Sequence, residues 1–291
     1  MNHSVYSQGK IKSKKSWSLV ATIIVIGLLI VIVWVVLKNN KKSELINSSA
    51  ITNTVNETPN EPKSVQQLPN IQAEIDSFIN KYPGDYGIKI IDLNGKTLVE
   101  TAGDKQYFTA SIYKLFVAYV GHQKIDDGTF SADEPYLANY TRGKCLDAMI
   151  RDSNSSCAEK MWNELGKEEL TKQMQSLGLK NTSLVGLNTT ANDTSVILQK
   201  IAKGEGLSKK SQEAFLNSMK DQDAKYRRGL PSGFTKSTVY NKVGWNEDKE
   251  WHDTAIVELA NGQKIIVSVF TSGVGYKTVS ALGSKIETTL N

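Results

Sequence analysis

Ser111 and Lys114 are the residues in this sequence whose types and spacing are best suited to chemistry. They form a Ser-x-x-Lys motif within residues 108–120. Side chains three residues apart share a helix face, so the hydroxyl and the amine meet only if this stretch is helical. A serine needs an adjacent base to act as a nucleophile at neutral pH. A lysine can be that base only if burial or a neighbouring charge lowers its pKa.

The residues around the motif favour a helix with one apolar face. Apolar side chains follow the motif at helical spacing, namely Leu115, Phe116, Ala118 and Tyr119. Thr109 is the predicted N-cap, and we expect the helix to end near Gly121. The motif alone is not specific, because Ser7 and Lys10 form a second copy in a polar tail. The plainer alternative is that Ser111 is a first-turn serine and Lys114 a solvated charge.

The charge of the chain is concentrated in its first part. The chain has 291 residues, 40% of them hydrophobic, and a formal net charge of +5. Residues 1–70 account for that charge, and the acidic and basic side chains of the remainder balance. A neutral globular part argues against nucleic acid as a partner, since nucleic-acid binding requires a basic face.

A membrane segment is predicted from Leu19 to Leu37, which contains no charged residue. As a helix its 19 residues would span roughly 28 Å, about the thickness of the hydrocarbon core. A cleavable signal peptide is the alternative, but no small-residue cleavage site ends the segment. We therefore expect a cytoplasmic tail (1–18), an uncleaved anchor (19–37), a disordered linker (38–70) and an extracytoplasmic domain (71–291). The protein would be a single-pass membrane protein and a monomer.

Metal and cofactor chemistry have little support in the sequence. Cys145 and Cys157 are the only cysteines, and the chain contains three histidines. This is not a zinc-binding pattern, so neither a metal nor a cofactor is expected. An extracytoplasmic domain permits a disulfide between the two cysteines, and two separate buried thiols remain the alternative.

The order of elements predicts an α+β fold, an α/β/α sandwich. An antiparallel sheet is expected from both ends of the domain, with an all-helical subdomain inserted between them. The expected strands are 86–92, 96–101, 237–245, 253–259 and 264–271, and the expected terminal helices are 71–82 and 276–290. Residues 122–225 are predicted to be mostly helical, with Gly166, Gly178 and Gly204 at helix ends and a capping box from Thr190 to Asp193.

Two further short stretches form a set with the Ser111 motif. Residues 149–158 contain Ser153-Asn154-Ser155, and residues 240–245 contain Lys242-Val243-Gly244. In order and context the three stretches resemble the S-x-x-K, S-D-N and K-T-G boxes of active-site-serine penicillin-recognising enzymes. The class A β-lactamase-like families are the most similar, and the resemblance spans nearly all of residues 71–291.

The resemblance implies a role for each matching residue. Ser111 would attack a strained or terminal amide carbonyl, Lys114 would take its proton, and Ser153 would relay a proton to the leaving nitrogen. Substrate binding is implied for Lys242, which would hold the substrate carboxylate, and for Ser155 and Gly244. The backbone N–H groups of Ser111 and Trp245 would form the oxyanion hole.

Three departures from the family pattern matter. Ser155 replaces an asparagine of the second box, and Val243 replaces the threonine of the third. Class A enzymes also carry a glutamate that activates the deacylating water on a loop before Thr189, and residues 178–188 contain no carboxylate. The nearby Asp193 is interpreted as part of a helix cap. Acylation at Ser111 is expected to persist, and hydrolysis of the acyl-enzyme to be slow.

Three hypotheses for function follow. The first is a serine hydrolase acting on β-lactams or on peptidoglycan-like peptides, either as a slow β-lactamase or as a D-Ala-D-Ala peptidase-like enzyme. The second is a catalytically weak peptidoglycan-binding or sensor module. A Ser-His-Asp hydrolase using His252 and Asp253 is set aside, since adjacent strand residues point to opposite faces.

Overall fold

A five-stranded antiparallel sheet from both ends of the domain organises the fold. The structure, a computed structural model, describes residues 70–246 and 250–291. In chain order the strands are β1 (Asp85–Asp92), β2 (Thr97–Thr101), β3 (Tyr107–Phe108), β4 (Pro135–Leu137), β5 (Tyr140–Thr141), β6 (Asn188–Thr189), β7 (Thr238–Asn246), β8 (Glu250–Glu258) and β9 (Lys264–Ser272). The strand order of the large sheet is β2-β1-β9-β8-β7, and β1 pairs with β9 from Asp85 opposite Ser272 to Asp92 opposite Ile265.

Helices cover both faces of the sheet. They are α1 (Gln72–Lys81), α2 (Tyr113–Asp126), α3 (Arg142–Arg151), α4 (Ser155–Leu165), α5 (Lys167–Ser176), α6 (Ala191–Lys203), α7 (Lys209–Lys220), α8 (Leu230–Gly233) and α9 (Tyr276–Leu290). The helices α2 to α7 lie between β2 and β7 in the chain and form the predicted helical insertion. The expected α+β fold with a mixed helical and antiparallel-sheet architecture is confirmed.

Alternating side chains of the strands feed two separate cores. In β9, Ile265 and Val267 pack with α1 and α9, whereas Ile266 and Phe270 pack with the helices of the insertion. Because successive residues of a strand point to opposite faces, one run of apolar residues serves both cores. The three layers therefore follow from the sequence of the central strands.

Helix α2 differs from the predicted amphipathic helix. Every residue from Tyr113 to His122 is buried, and the helix continues beyond Gly121 to Asp126. It contacts α3, α4, α5 and α7, so no side of its first ten residues faces solvent. The prediction of a single apolar face was wrong because this helix lies inside the insertion, where a helix is apolar all round.

Glycines end several helices at the predicted positions. Gly166 follows α4 with φ 81° and Gly204 follows α6 with φ 71°, backbone conformations that glycine adopts without steric cost. At the start of α6, Thr190 Oγ1 accepts a hydrogen bond from the Asp193 N–H at 3.0 Å. The Asp193 carboxylate bonds elsewhere, so only half of the expected capping box forms.

A disulfide joins Cys145 in α3 to Cys157 in α4, which resolves the alternative left open by the sequence. It ties together the two helices that flank Ser153.

The predicted tail, the anchor from Leu19 to Leu37 and the linker up to residue 69 lie outside the described residues. Within residues 70–246 and 250–291, no helix is long and apolar enough to cross a membrane.

Candidate active site

Ser111 lies in a 3₁₀ turn, Ala110–Ile112, immediately before α2. Ala110 has φ 42°, a conformation that costs a non-glycine residue on the order of 1–3 kcal/mol. The Thr109 side chain makes no capping hydrogen bond, so the predicted N-cap role was wrong. Instead the Thr109 N–H donates to the Leu187 carbonyl at 2.7 Å, which fixes the turn to the loop before β6. The strained turn is thus held in place by tertiary contacts.

Gly244 in the edge strand β7 lies directly against this turn. A Cβ atom at this position would lie 2.8 Å from the Thr109 carbonyl oxygen and 3.0 Å from the Ser111 backbone nitrogen. Real side chains do not approach so closely, so only glycine lets β7 reach the Ser111 turn. Trp245, the next residue, lines the same cleft as Ser111. The two residues predicted to supply oxyanion-hole N–H groups therefore border one cleft.

Lys114 is almost fully buried and is held by the loop between α3 and α4. Its exposed fraction is 1%. The Nζ atom donates to the Ser153 carbonyl at 2.6 Å and contacts the Ser153 and Ser155 hydroxyl oxygens, each at 3.2 Å. No hydrogen bond joins it to Ser111 Oγ among the described residues. Catalytic hydrogen bonds are often long in the absence of substrate and shorten when substrate binds.

Ser153 connects the two lysines of the predicted site. Its Oγ lies 3.2 Å from Lys114 Nζ and 3.1 Å from Lys242 Nζ. The next residue, Asn154, is the N-cap of α4 and accepts from the Cys157 N–H at 3.0 Å, so Ser153 is not needed as a cap. Ser153 has φ 50°, which indicates that its contacts offset local backbone strain.

Lys242 is more deeply buried than its predicted role suggests. It is 0% exposed, does not line the cleft, and donates to Ser153 Oγ and to the Val243 carbonyl at 2.8 Å. In this geometry the ammonium lies behind Ser153. Val243 is also fully buried and packs in the core with α1 and α9, away from the cleft.

Burial favours the neutral amines of both lysines. Desolvation lowers the pKa of Lys114 to about 8, although the Glu159 charge opposes the shift. Desolvation also lowers the pKa of Lys242 well below its usual range; the neighbouring Lys114 adds to the effect, and Asp253 opposes it. A neutral lysine amine has a lone pair that can accept a proton. The Ser153 hydroxyl lies between these two amines and can pass a proton in either direction.

The cleft above these groups has a volume of about 280 Å³. Much of its wall is aromatic or apolar, and its polar groups lie close to Ser111. It is lined by Phe108, Ala110, Ser111, Tyr113, Lys114, Ser155, Glu159, Trp162, Leu187, Trp245 and Asn246. A cleft in which polar groups converge beside aromatic side chains suits a small-molecule ligand.

The loop before β6 offers the cleft an apolar wall and no acid. Leu187 lines the cleft, and Leu184 is buried in the core. The Asp193 carboxylate accepts from the Asn181 N–H and the Thr182 hydroxyl, both at 2.8 Å, and lies outside the cleft.

Sequence reasoning missed Glu159, which is the carboxylate of the cleft lining. Its position four residues after Ser155 could have indicated its place at the cleft, because residues four apart share a helix face.

His252 and Asp253 do not form a catalytic pair. His252 Nδ1 accepts from the Thr271 N–H at 3.1 Å, and its ring packs against Tyr107 and Phe270. Asp253 accepts from the Leu230 N–H and from Asn241 Nδ2. The two side chains occupy opposite faces of β8, as the alternation along a strand requires.

No metal cluster of histidine, cysteine or acidic residues occurs within residues 70–246 and 250–291.

Comparisons with known proteins agree with this fold. PBP-A matches with 22% identity and a TM-score of 0.67, covering 76% of this chain and 98% of its own. A mutant of PBP-A, solved as an acyl-enzyme complex with penicillin G, matches with 21% identity and a TM-score of 0.66, covering 75% of this chain and 95% of its own. A β-lactamase from Chitinophaga pinensis matches with 18% identity and a TM-score of 0.65, covering 75% and 98%. The search of curated proteins gave no match.

The family model described as the beta-lactamase enzyme family matches residues 70–290, which is nearly the whole of the described part. The chain therefore belongs to the beta-lactamase enzyme family.

Proposed function

We propose that this protein is a membrane-anchored, extracytoplasmic active-site-serine hydrolase that forms an acyl-enzyme at Ser111 with a β-lactam or a related amide. The observation that carries the proposal is the Ser153 hydroxyl between Lys114 Nζ and Lys242 Nζ, at 3.2 and 3.1 Å, beside the turn of Ser111. This arrangement supports Ser111 as the proposed nucleophile, Lys114 as its base and Ser153 as the proton relay.

The proposed acylation follows from these positions. Ser111 Oγ attacks the amide carbonyl carbon while neutral Lys114 accepts the hydroxyl proton. The backbone N–H groups of Ser111 and Trp245 stabilise the oxyanion, and a missing donor of this kind costs on the order of 10²–10³ in rate. The C–N bond then breaks, the Ser153 hydroxyl gives a proton to the leaving nitrogen, and protonated Lys114 returns its proton to Ser153.

Substrate binding is proposed for three groups near this centre. Ser155 and the backbone at Gly244 would contact the substrate, and Lys242 would bind its carboxylate, whose negative charge favours the protonated form of that amine. Because Lys242 lies behind Ser153, direct contact requires Ser153 to move. No metal or cofactor is invoked in the proposal.

Hydrolysis of this acyl-enzyme is proposed to be slow unless an acid outside residues 178–188 activates water, since those residues contain no carboxylate. A D-Ala-D-Ala peptidase-like activity is the second candidate. It is supported by the likeness to PBP-A, whose mutant was captured as an acyl-enzyme with penicillin G. A peptidoglycan-binding or sensor module is the non-enzymatic alternative.

Incubation of the full-length chain in detergent with a fluorescent penicillin tests the proposal. Intact mass followed over time should show a covalent adduct on the unmodified chain and none on Ser111→Ala. Ser7→Ala is the matched control, because Ser7 begins the other Ser-x-x-Lys motif and should leave the adduct unchanged. If neither a penicillin nor a D-Ala-D-Ala-type ester acylates the chain, the binding module is favoured.

The membrane anchor has its own test. The chain should stay with membranes after alkaline carbonate extraction and should be released when residues 19–37 are deleted. A protease added outside spheroplasts should degrade the domain if it is extracytoplasmic. A full-length chain recovered in the soluble fraction would contradict anchoring.

A further inference from the structure

Glu159 contributes the one carboxylate among the described residues that line the Ser111 cleft. It lies on α4, four residues after Ser155, so both side chains occupy the same helix face. Helical side chains lean toward the N-terminus, which places the Glu159 carboxylate over the turn that carries Ser155. The Ser155 hydroxyl is in turn 3.2 Å from Lys114 Nζ. The acid therefore shares a cleft with Ser111 and a helix face with Ser155, which contacts Lys114.

The oxygens of Glu159 are free to accept a proton. Within the described part of the chain, its carboxylate forms no hydrogen bond or ion pair with another residue. Its negative charge acts to raise the pKa of Lys114 and of Tyr113, which line the same cleft. The neighbouring Glu164 differs, because Arg142 engages both of its carboxylate oxygens at 2.8 and 2.9 Å.

The cleft that Glu159 and Lys114 both line leaves room for a small molecule. The two charges are close enough to interact, but no ion pair joins them. Both line a cleft of about 280 Å³ that is open to solvent and is much larger than one water molecule. The cleft therefore has room for a water molecule beside both the Glu159 carboxylate and an ester at Ser111.

We propose that Glu159 activates the water that hydrolyses the Ser111 acyl-enzyme. The inference rests on the proposed function, because it requires an ester at Ser111. The loop before β6 supplies no acid, and Asp193 is engaged by Asn181 and Thr182 outside the cleft. Glu159 is the acid that remains next to the reacting centre.

The proposed step balances in protons and bonds. Glu159 accepts a proton from water as the water oxygen bonds to the acyl carbon. Glu159 passes this proton to the neutral amine of Lys114 through solvent in the cleft. The oxyanion collapses, the bond between this carbon and Ser111 Oγ breaks, and Lys114 gives the proton to Oγ. The net reaction is ester plus water to carboxylic acid and serine, and no other reactant is required.

The test separates acylation from deacylation on the full-length chain in detergent. The chain is acylated with penicillin G, free penicillin is removed, and intact mass follows the loss of the adduct. Glu159→Gln should still form the adduct and should lose it on the order of 10² more slowly, since a general base contributes roughly 10²–10⁴. Glu159→Asp should restore part of the rate. Glu168→Gln, an exposed acid on α5 outside the cleft, is the matched control and should deacylate like the unmodified chain.

Two results would overturn the role of Glu159. One is an adduct that decays equally slowly on the unmodified chain and on Glu159→Gln. The other is slower acylation by penicillins carrying an ammonium group, with deacylation unchanged, which would make Glu159 a substrate-binding residue. Absence of any adduct on the unmodified chain would instead refute the proposed function, so the two failures are distinguishable.

Discussion

The acylation rate of Ser111 should depend on pH through the ionisation of Lys114. Burial lowers the pKa of Lys114 to about 8 from an ordinary value of 10.5. Only the neutral amine can take the serine proton, so the rate should follow the neutral fraction. With a pKa of about 8, that fraction is roughly 1% at pH 6, 10% at pH 7 and 90% at pH 9. At pH 7 it is about 300-fold larger than for a lysine of ordinary pKa.

Rapid mixing with a fluorescent penicillin, at constant ionic strength between pH 6 and 10, measures this dependence. The acylation rate should rise about tenfold from pH 6 to pH 7, bend near pH 8 and level off above pH 9. Lys114→Arg keeps a cation at this position but cannot act as a base, because arginine stays protonated. Its acylation rate at pH 8 should fall by about 10²–10⁴.

Circular dichroism at each pH, and for the variant, controls for loss of the fold. A rate that is flat between pH 6 and 8 in a folded protein would refute Lys114 as the base. A rate that still rises steeply above pH 9.5 would show that burial does not lower the pKa of Lys114 as the structure indicates. Equal rates for the unmodified chain and Lys114→Arg would exclude the lysine from the reaction.

Three further predictions concern the frame of the site. Gly244→Ala should lower the acylation rate more than tenfold and the free energy of unfolding by about 1–3 kcal/mol, since its Cβ would lie 2.8 Å from the Thr109 carbonyl oxygen. Acylation kinetics and thermal melts measure the two effects. Wild-type values for both would contradict the close approach of β7 to the Ser111 turn. Ser153→Ala should slow acylation by about 10²-fold, because the hydroxyl between the two lysines is lost; an unchanged acylation rate would exclude the relay. Reducing the Cys145–Cys157 disulfide, whose cysteines have a sequence separation of 12, should lower the free energy of unfolding by about 3 kcal/mol. Denaturant titration with and without reductant measures this change. Coincident unfolding curves would contradict the prediction.

The sequence was sufficient to predict the convergence of three distant stretches. Ser111, Ser153 and Lys242 are far apart in the chain, and the motif order predicted that they share one site. The structure places the Ser153 hydroxyl beside Lys242 and Lys114, and the turn of Ser111 against β7. The residue types and the order of the three stretches predicted this shared site, because each stretch resembles a motif of fixed local geometry. The roles of these residues in catalysis remain predictions.

Features set by packing between elements could not be predicted in this way. The depth of Lys242 depends on how α7 and the loop that carries Ser153 pack against β7, and no local pattern specifies that. The position of Glu159 at the cleft depends equally on the rotation of α4 about its axis. The complete burial of the first turns of α2 reflects four surrounding helices, whereas its sequence alone suggested one apolar face. Each of these is a tertiary property that overrides local periodicity.

The pairing of β1 with β9 has a consequence for when the domain can fold. Asp85 faces Ser272 across this pair, so the middle of the sheet joins residues separated by nearly the whole domain. Contacts of such long sequence separation slow folding, because a large loop must close before any of its contacts form. During synthesis the sheet cannot be completed until β9 has emerged. Lys242 therefore reaches its place beside Ser153 only after almost all of the chain has been made, and partly synthesised chains should not react with penicillin.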